Sequence, residues 1–178
     1  NEHVLTIKGK FSCHLNSGDE LLVTEMIFDG AFNHETPEMA VAIVSCFVFQ
    51  EKVKLDAPPL QKKFQPAFRI LQASARKIAK SKIESDLVCN EEEYVNSWNP
   101  GMMEISHEWA AGCTFTQICA LSDNYEGNII RNFRRLDELL RQLAGAAAAI
   151  GNTELKEKFE SGADKIRRGV VFAASLYF

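Results

Sequence analysis

A basic surplus, cysteine pairs and long apolar runs are all missing from this chain, and each absence removes a class of function. The 20 Lys and Arg are outnumbered by 24 Asp and Glu, for a net charge of -4. Proteins that coat nucleic acid or anionic membrane by bulk charge carry a clear basic excess, so any contact with a polyanion here has to be local. No apolar stretch approaches the roughly 20 residues of a membrane span. The N-terminal NEHVLTIKGK has neither a signal-peptide pattern nor an initiator Met, and the chain is expected to be a piece of a longer polypeptide.

Cys13, Cys46, Cys89, Cys113 and Cys119 form an odd set with no C-x-x-C pair, and His3, His14, His34 and His107 stand isolated. That distribution offers neither a disulfide framework nor zinc-ligand spacing, and it predicts reduced, buried thiols and no bound metal. Catalytic signatures are missing too. There is no Gly-rich phosphate loop, no G-x-S-x-G elbow, no H-E-x-x-H, and no Ser or Cys with His and Asp at a recognisable spacing. The consecutive Glu91, Glu92 and Glu93 sit at a helix start, where the helix dipole accounts for them without catalysis. The chain by itself is expected to be non-catalytic and to hold no cofactor.

What is present is a globular composition, with 46% hydrophobic and 25% charged residues and only 10 Gly and 5 Pro scattered over 178 positions. That length suits one domain with a real core. Residues 5–15 alternate, Leu5, Ile7, Phe11, Cys13 and Leu15 against Thr6, Lys8, Lys10, Ser12 and His14, which reads as a half-buried extended segment. From residue 16 onward the pattern is helical. Ser17 with Glu20 forms a capping box ahead of Leu21, Leu22, Met26 and Ile27, with a stop at Gly30. Thr36-Pro37 opens a helix burying Ala40, Ile43, Val44, Phe47 and Val48. The segment EKVKLDAPP is the obvious loop.

A third helix carries Phe68, Leu71, Ala75, Ile78 and Ala79, with Pro66 either opening or kinking it. Asn90 with Glu93, Asn99-Pro100, Thr114 with Gln117 and Asp123 with Glu126 mark four further helix starts, and Gly112 closes the second of these helices. The longest pattern follows. Ile129, Phe133, Leu136, Leu140, Leu143, Ala147 and Ile150 recur at alternating spacings of four and three, ending at Gly151, which predicts one helix over 125–150 crossing the whole domain. Asn152-Thr153 starts a last helix with Leu155, Phe159, Ile166 and Val170, and the apolar tail VVFAASLYF is expected to dock into the bundle.

The polar face of the long helix carries the candidate chemistry. Arg131, Arg135, Glu138 and Gln142 are spaced four, three and four apart and fall on one stripe. Arg supplies phosphate contacts and stacking, and a carboxylate accepts from exocyclic base amines, so the stripe suits a single nucleic-acid strand. The same residues also suit a solvated face in which Arg131 or Arg134 pairs with Asp137 or Glu138. Residues 114–136 further resemble a helix-turn-helix, a shape shared by plain packing units and DNA readers.

The blocks SGDELLVTEMIFDG, VSCFVFQEK, WAAGCTFTQICALSDNYEGNIIRNFRRLDELLRQ, AIGNTELKEKF and VVFAASLYF resemble, over essentially the whole chain, the C-terminal helical-bundle (DSHCT) domain of exosome-associated DExH-box RNA helicases. The similarity is to the nuclear Mtr/Dob type of the Ski-two-like family. It implies an all-α multi-helix bundle over 17–178 around a central ratchet helix at about 125–150, with 1–16 as an extended connector from the preceding part of a parent protein. It implies that Arg135 and Glu138, with Arg131 one turn earlier and Glu51 at the end of the second helix, contact single-stranded RNA. The family pattern is departed from at His107, where an aromatic is usual, and at Gly169, where an acidic residue is usual.

The resemblance further implies that the parent is an ATP-dependent 3'-5' RNA helicase feeding the exosome in the nucleus. ATP and Mg would belong to RecA-like domains outside this chain, and a polyadenylation complex is a possible further partner. The alternatives are a protein-interaction bundle and a helix-turn-helix-like DNA-binding module without a role in RNA translocation.

Overall fold

Thr36 and Pro37 show how directly local chemistry sets this fold. The Thr36 hydroxyl accepts from the Met39 amide at 3.1 Å, and Pro37 occupies the first helical position, where no N–H is needed. The computed structural model describes Lys8 and residues 20–169. These form α1 (Glu20–Phe28), α2 (Pro37–Val48), α3 (Gln65–Glu84), α4 (Glu91–Asn96), α5 (Met103–Ala111), α6 (Phe115–Ala120), α7 (Glu126–Ala149) and α8 (Thr153–Ile166). No strand occurs among the described residues, and the architecture is an all-α bundle. The extended reading of 5–15 lies outside the described residues except at Lys8, whose backbone is helical, so the alternation does not hold as a strand there. The Ser17 cap, Val170 and the docking of VVFAASLYF also lie outside them.

Helix α2 is the centre of the bundle. The sequence pattern gave it one buried face, but every residue from Ala40 to Val48 is buried, including Val41, Ala42, Ser45 and Cys46. The reason is its surroundings, since α5, α7 and α8 all pack on it. Each fully buried Val, Ile or Phe there contributes about 1.5–3 kcal/mol. Gly162 of α8 permits the closest approach, because a Cβ at that position would stand 2.8 Å from Val41 Cγ2. On the other side α1 packs against α3, and α3 against α4. There the Arg76 guanidinium bridges Glu91 at 2.7 Å and Glu92 at 2.6 Å.

The expected stops at Gly30, Gly112 and Gly151 each end a helix. At Gly151 the backbone turns left-handed, φ +78°, so that its amide reaches Ala148 O at 3.0 Å and the Asn152 amide reaches Ala147 O at 2.9 Å. This closes the last carbonyls of α7 in a Schellman arrangement that a side chain would strain. Pro66 opens α3 rather than kinking it.

Two expected caps do not form. Asn99 accepts from the Gly101 amide at 2.8 Å and donates to Glu51 O at 2.8 Å, so it builds a turn, and α5 begins only at Met103. Asp123 does not cap either: the Ser122 hydroxyl accepts from the Asn124 amide at 3.1 Å in a turn of its own, and Tyr125 stands at the N-cap of α7 without a side-chain cap bond. The thiol expectation also needs correction. Cys46 is buried, and burial pushes its thiol up to about 12, while Cys89, Cys113 and Cys119 are only half-buried.

Candidate nucleic-acid interface

Twenty-four residues make α7 about 36 Å long, and its two faces differ sharply. Ile129, Phe133, Leu136, Leu140, Leu143 and Ala147 are all at most 1% exposed, so the predicted seam is the buried edge; Ile150 lies just past the helix and is half-buried. At 100° per residue Arg131, Arg135, Glu138 and Gln142 fall on the opposite side of the wheel. Arg131, Arg135 and Glu138 are exposed and Gln142 is half-buried. A rigid, fully packed helix therefore presents two donor-only cations and an acceptor-only carboxylate along one line.

The ion pairs fall beside this line rather than on it. Asp137 is 7% exposed and accepts from Arg141 Nε at 3.1 Å, and Arg141 reaches on to Asp164 of α8 at 3.8 Å. Asp137 is thus taken by the residue one turn ahead on its own side of the helix, not by Arg131. Neither Arg131 nor Arg135 has a hydrogen-bond or ion-pair partner among the described residues. Glu138 accepts from Gln142 Nε2 at 3.5 Å. Of the two arginines expected to pair on a solvated face, Arg131 has no such partner among the described residues, whereas Arg134 does make an interaction.

Glu51 is exposed and follows α2, and its carbonyl accepts from Asn99. Met102, three residues on from Asn99, meets Asn124 with Sδ 4.0 Å from Nδ2. This relay puts Glu51 at the end of the bundle where α7 begins. No ion pair joins Glu51 to Arg131 or Arg135 among the described residues; Arg131, Arg135 and Glu138 share one face of α7, and Glu51 lies on the segment that follows α2.

The long helix is held in place by an aromatic and cationic knot. Trp109 of α5 stacks on Phe133 of α7, centroids 5.7 Å apart and planes at 14°, and donates Nε1–H to Ile166 O at the end of α8. At His107, where an aromatic was the expected type, the imidazole meets Phe64 edge-on at 5.4 Å and so fills an aromatic's packing role. Gly169 takes left-handed backbone, φ +59°.

The sequence reading passed over Tyr125, which periodicity cannot place because it precedes the first helical turn. It is the one exposed aromatic among the described residues, at 83%.

A family model of the DSHCT (NUC185) domain matches residues 2–173. The chain belongs to the DSHCT family. This DSHCT domain is 49% identical over 177 residues to the ATP-dependent RNA helicase mtr4 of Schizosaccharomyces pombe, covering 99% of the chain and 16% of that protein. It is 49% identical over 174 residues to the Exosome RNA helicase MTR4 of Homo sapiens, covering 98% and 17%. To the DExH-box ATP-dependent RNA helicase DExH10 of Arabidopsis thaliana it is 41% identical over 175 residues, covering 98% and 18%. The DSHCT domain thus spans less than a fifth of the length of these relatives.

Proposed function

We propose that this chain is the RNA-guiding C-terminal domain of an ATP-dependent 3'-5' RNA helicase that unwinds RNA and feeds it to the nuclear exosome for processing and decay. The observation that carries the reading is the pair Arg131 and Arg135, exposed and without a partner among the described residues, on a helix whose other face is locked into the core. The relatives named as RNA helicases, one of them as an exosome helicase, supply the setting. In this reading residues 1–16 connect to the parent and 17–178 form the bundle. ATP and Mg act in RecA-like domains of the parent, which also work in the nucleus, with the exosome and with a polyadenylation complex.

The chemistry asked of the domain is modest. Arg131 and Arg135 donate to phosphate or base acceptors, Glu138 accepts from base N–H groups, and Gln142 does either. Because the helix is fixed by its seam, these groups do not follow the strand as it moves; contacts are made and released as nucleotides pass. Few phosphates are engaged, so the grip stays weak enough for movement.

Unwinding of a 3'-tailed duplex by the full-length protein tests this. Arg135→Ala and Glu138→Ala are each expected to slow unwinding or change its dependence on RNA sequence. Wild-type rates for both on every RNA would overturn the assignment and favour a protein-interaction face.

A further inference from the structure

Of the aromatic side chains in the described part of the molecule, all but one are buried or half-buried in the bundle. Tyr125 is 83% exposed. Its backbone is nonetheless fixed, since the Tyr125 carbonyl accepts from the Asn128 amide at 2.9 Å and the Ile129 amide at 3.1 Å, closing the first turn of α7. The ring is therefore presented from a rigid point rather than from a swinging loop. No packing within the described residues accounts for leaving so large an apolar surface in water.

Tyr125 stands at the start of the helix that bears the two arginines without a partner among the described residues. It lies six positions before Arg131, about 9 Å along the axis and about a third of a turn around it, and that rise is that of two to three stacked nucleotides at about 3.4 Å each. Single strands are held by this combination: cations that follow the backbone and an aromatic face on which a base stacks without regard to its identity. We propose that Tyr125 is a base-stacking platform that receives a nucleobase of single-stranded RNA at the entry to α7, ahead of the Arg131–Glu138 line. The assignment rests on the RNA-face reading above and adds to it a contact of a different kind, with a base ring instead of a phosphate. Leu121, four residues earlier in the chain, is also exposed, at 46%, and a protein surface covering both residues is the competing outcome.

The test uses the full-length protein and a fluorescein-labelled oligouridylate, with affinity read by anisotropy over a series of salt concentrations. Tyr125→Ala is expected to weaken binding about fivefold or more, the low end for one stacked base. Its salt slope is expected to match wild type, because no phosphate contact is lost. Tyr125→Phe and Tyr125→Trp keep a ring and are expected to bind normally. An oligouridylate carrying 4-thiouridine should cross-link at Tyr125. If Tyr125→Ala binds like wild type while Arg135→Ala binds weakly, the platform is overturned and the RNA face stands. If both bind like wild type, the RNA face falls and the platform with it. If Leu121→Ser weakens binding as much as Tyr125→Ala and both make the full-length protein more protease-sensitive, the corner is a protein contact and the proposal is wrong.

Discussion

The guanidinium of Arg168 lies 3.5 Å from the centroid of the Trp109 ring, and it donates to the Trp109 and Cys113 carbonyls at the end of α5. One side chain thereby stacks on an indole, adds a second donor to the Trp109 carbonyl, satisfies the Cys113 carbonyl just past the helix, and ties the exit of α8 to α5.

From this arrangement Trp109→Phe is expected to cost about 0.5–1.5 kcal/mol, because the Ile166 carbonyl loses the indole N–H and keeps only the Arg168 amide as donor. Trp109→Ala should cost about 3–5 kcal/mol as the stack on Phe133 is also lost. Arg168→Lys keeps the charge but cannot reproduce the planar stack, so it should fall measurably below wild type. Urea denaturation of the domain orders the three variants.

Leu136 and its neighbours separate packing from function. Leu136 is 1% exposed, so Leu136→Ala is expected to destabilise the bundle by about 2–5 kcal/mol. Arg135→Ala and Glu138→Ala, one and two positions away on the exposed side, should stay within about 0.5 kcal/mol of wild type. Thermal melts give the comparison, and a large loss of stability for Arg135→Ala would show that its side chain packs.

The domain on its own is expected to bind single-stranded RNA weakly or undetectably. Its net charge is -4, and the line on α7 offers two arginines without a partner among the described residues, enough to release few counterions. Anisotropy at about 0.15 M salt, where exposed charges are screened beyond about 8 Å, is the measurement. Nanomolar affinity for the fragment alone would contradict the guiding role.

Acid should loosen the packing of α3 against its neighbours. A hydrogen bond from Lys63 holds Glu108 below its ordinary value of 4.5, against some desolvation, and a hydrogen bond from Arg76 does the same for Glu92. A carboxyl depressed in the folded state binds its proton more readily when unfolded. Its contribution is therefore complete above about pH 4.5 and is lost as pH falls through the lower folded value. The melting temperature is expected to be flat from pH 7 to 5 as far as these groups decide it and to drop below pH 4.5. Lys63→Met and Arg76→Met should each make that drop shallower.

The elements of this protein were written locally. The seam from Ile129 to Ala147, the Thr36-Pro37 and Thr114–Gln117 starts and the stops at Gly30, Gly112 and Gly151 depend on contacts within a few residues, and the sequence displays them. The Arg131, Arg135 and Glu138 line follows from the same periodicity, since whatever lies opposite a buried seam is exposed. Other features needed the third dimension. Asn99 and Asp123 had the right type and spacing to cap, yet Asn99 is held by the Glu51 carbonyl and spends its oxygen on the Gly101 amide, and α7 starts two residues after Asp123, at the N-cap Tyr125. That α2 is buried all round depends on three helices packing on it. That Arg141 reaches beyond Asp137 to Asp164 depends on which side of α7 meets α8. Tyr125 is exposed because no other element among the described residues covers its ring, and a sequence, which lists neighbours along the chain, does not record which neighbours in space are missing.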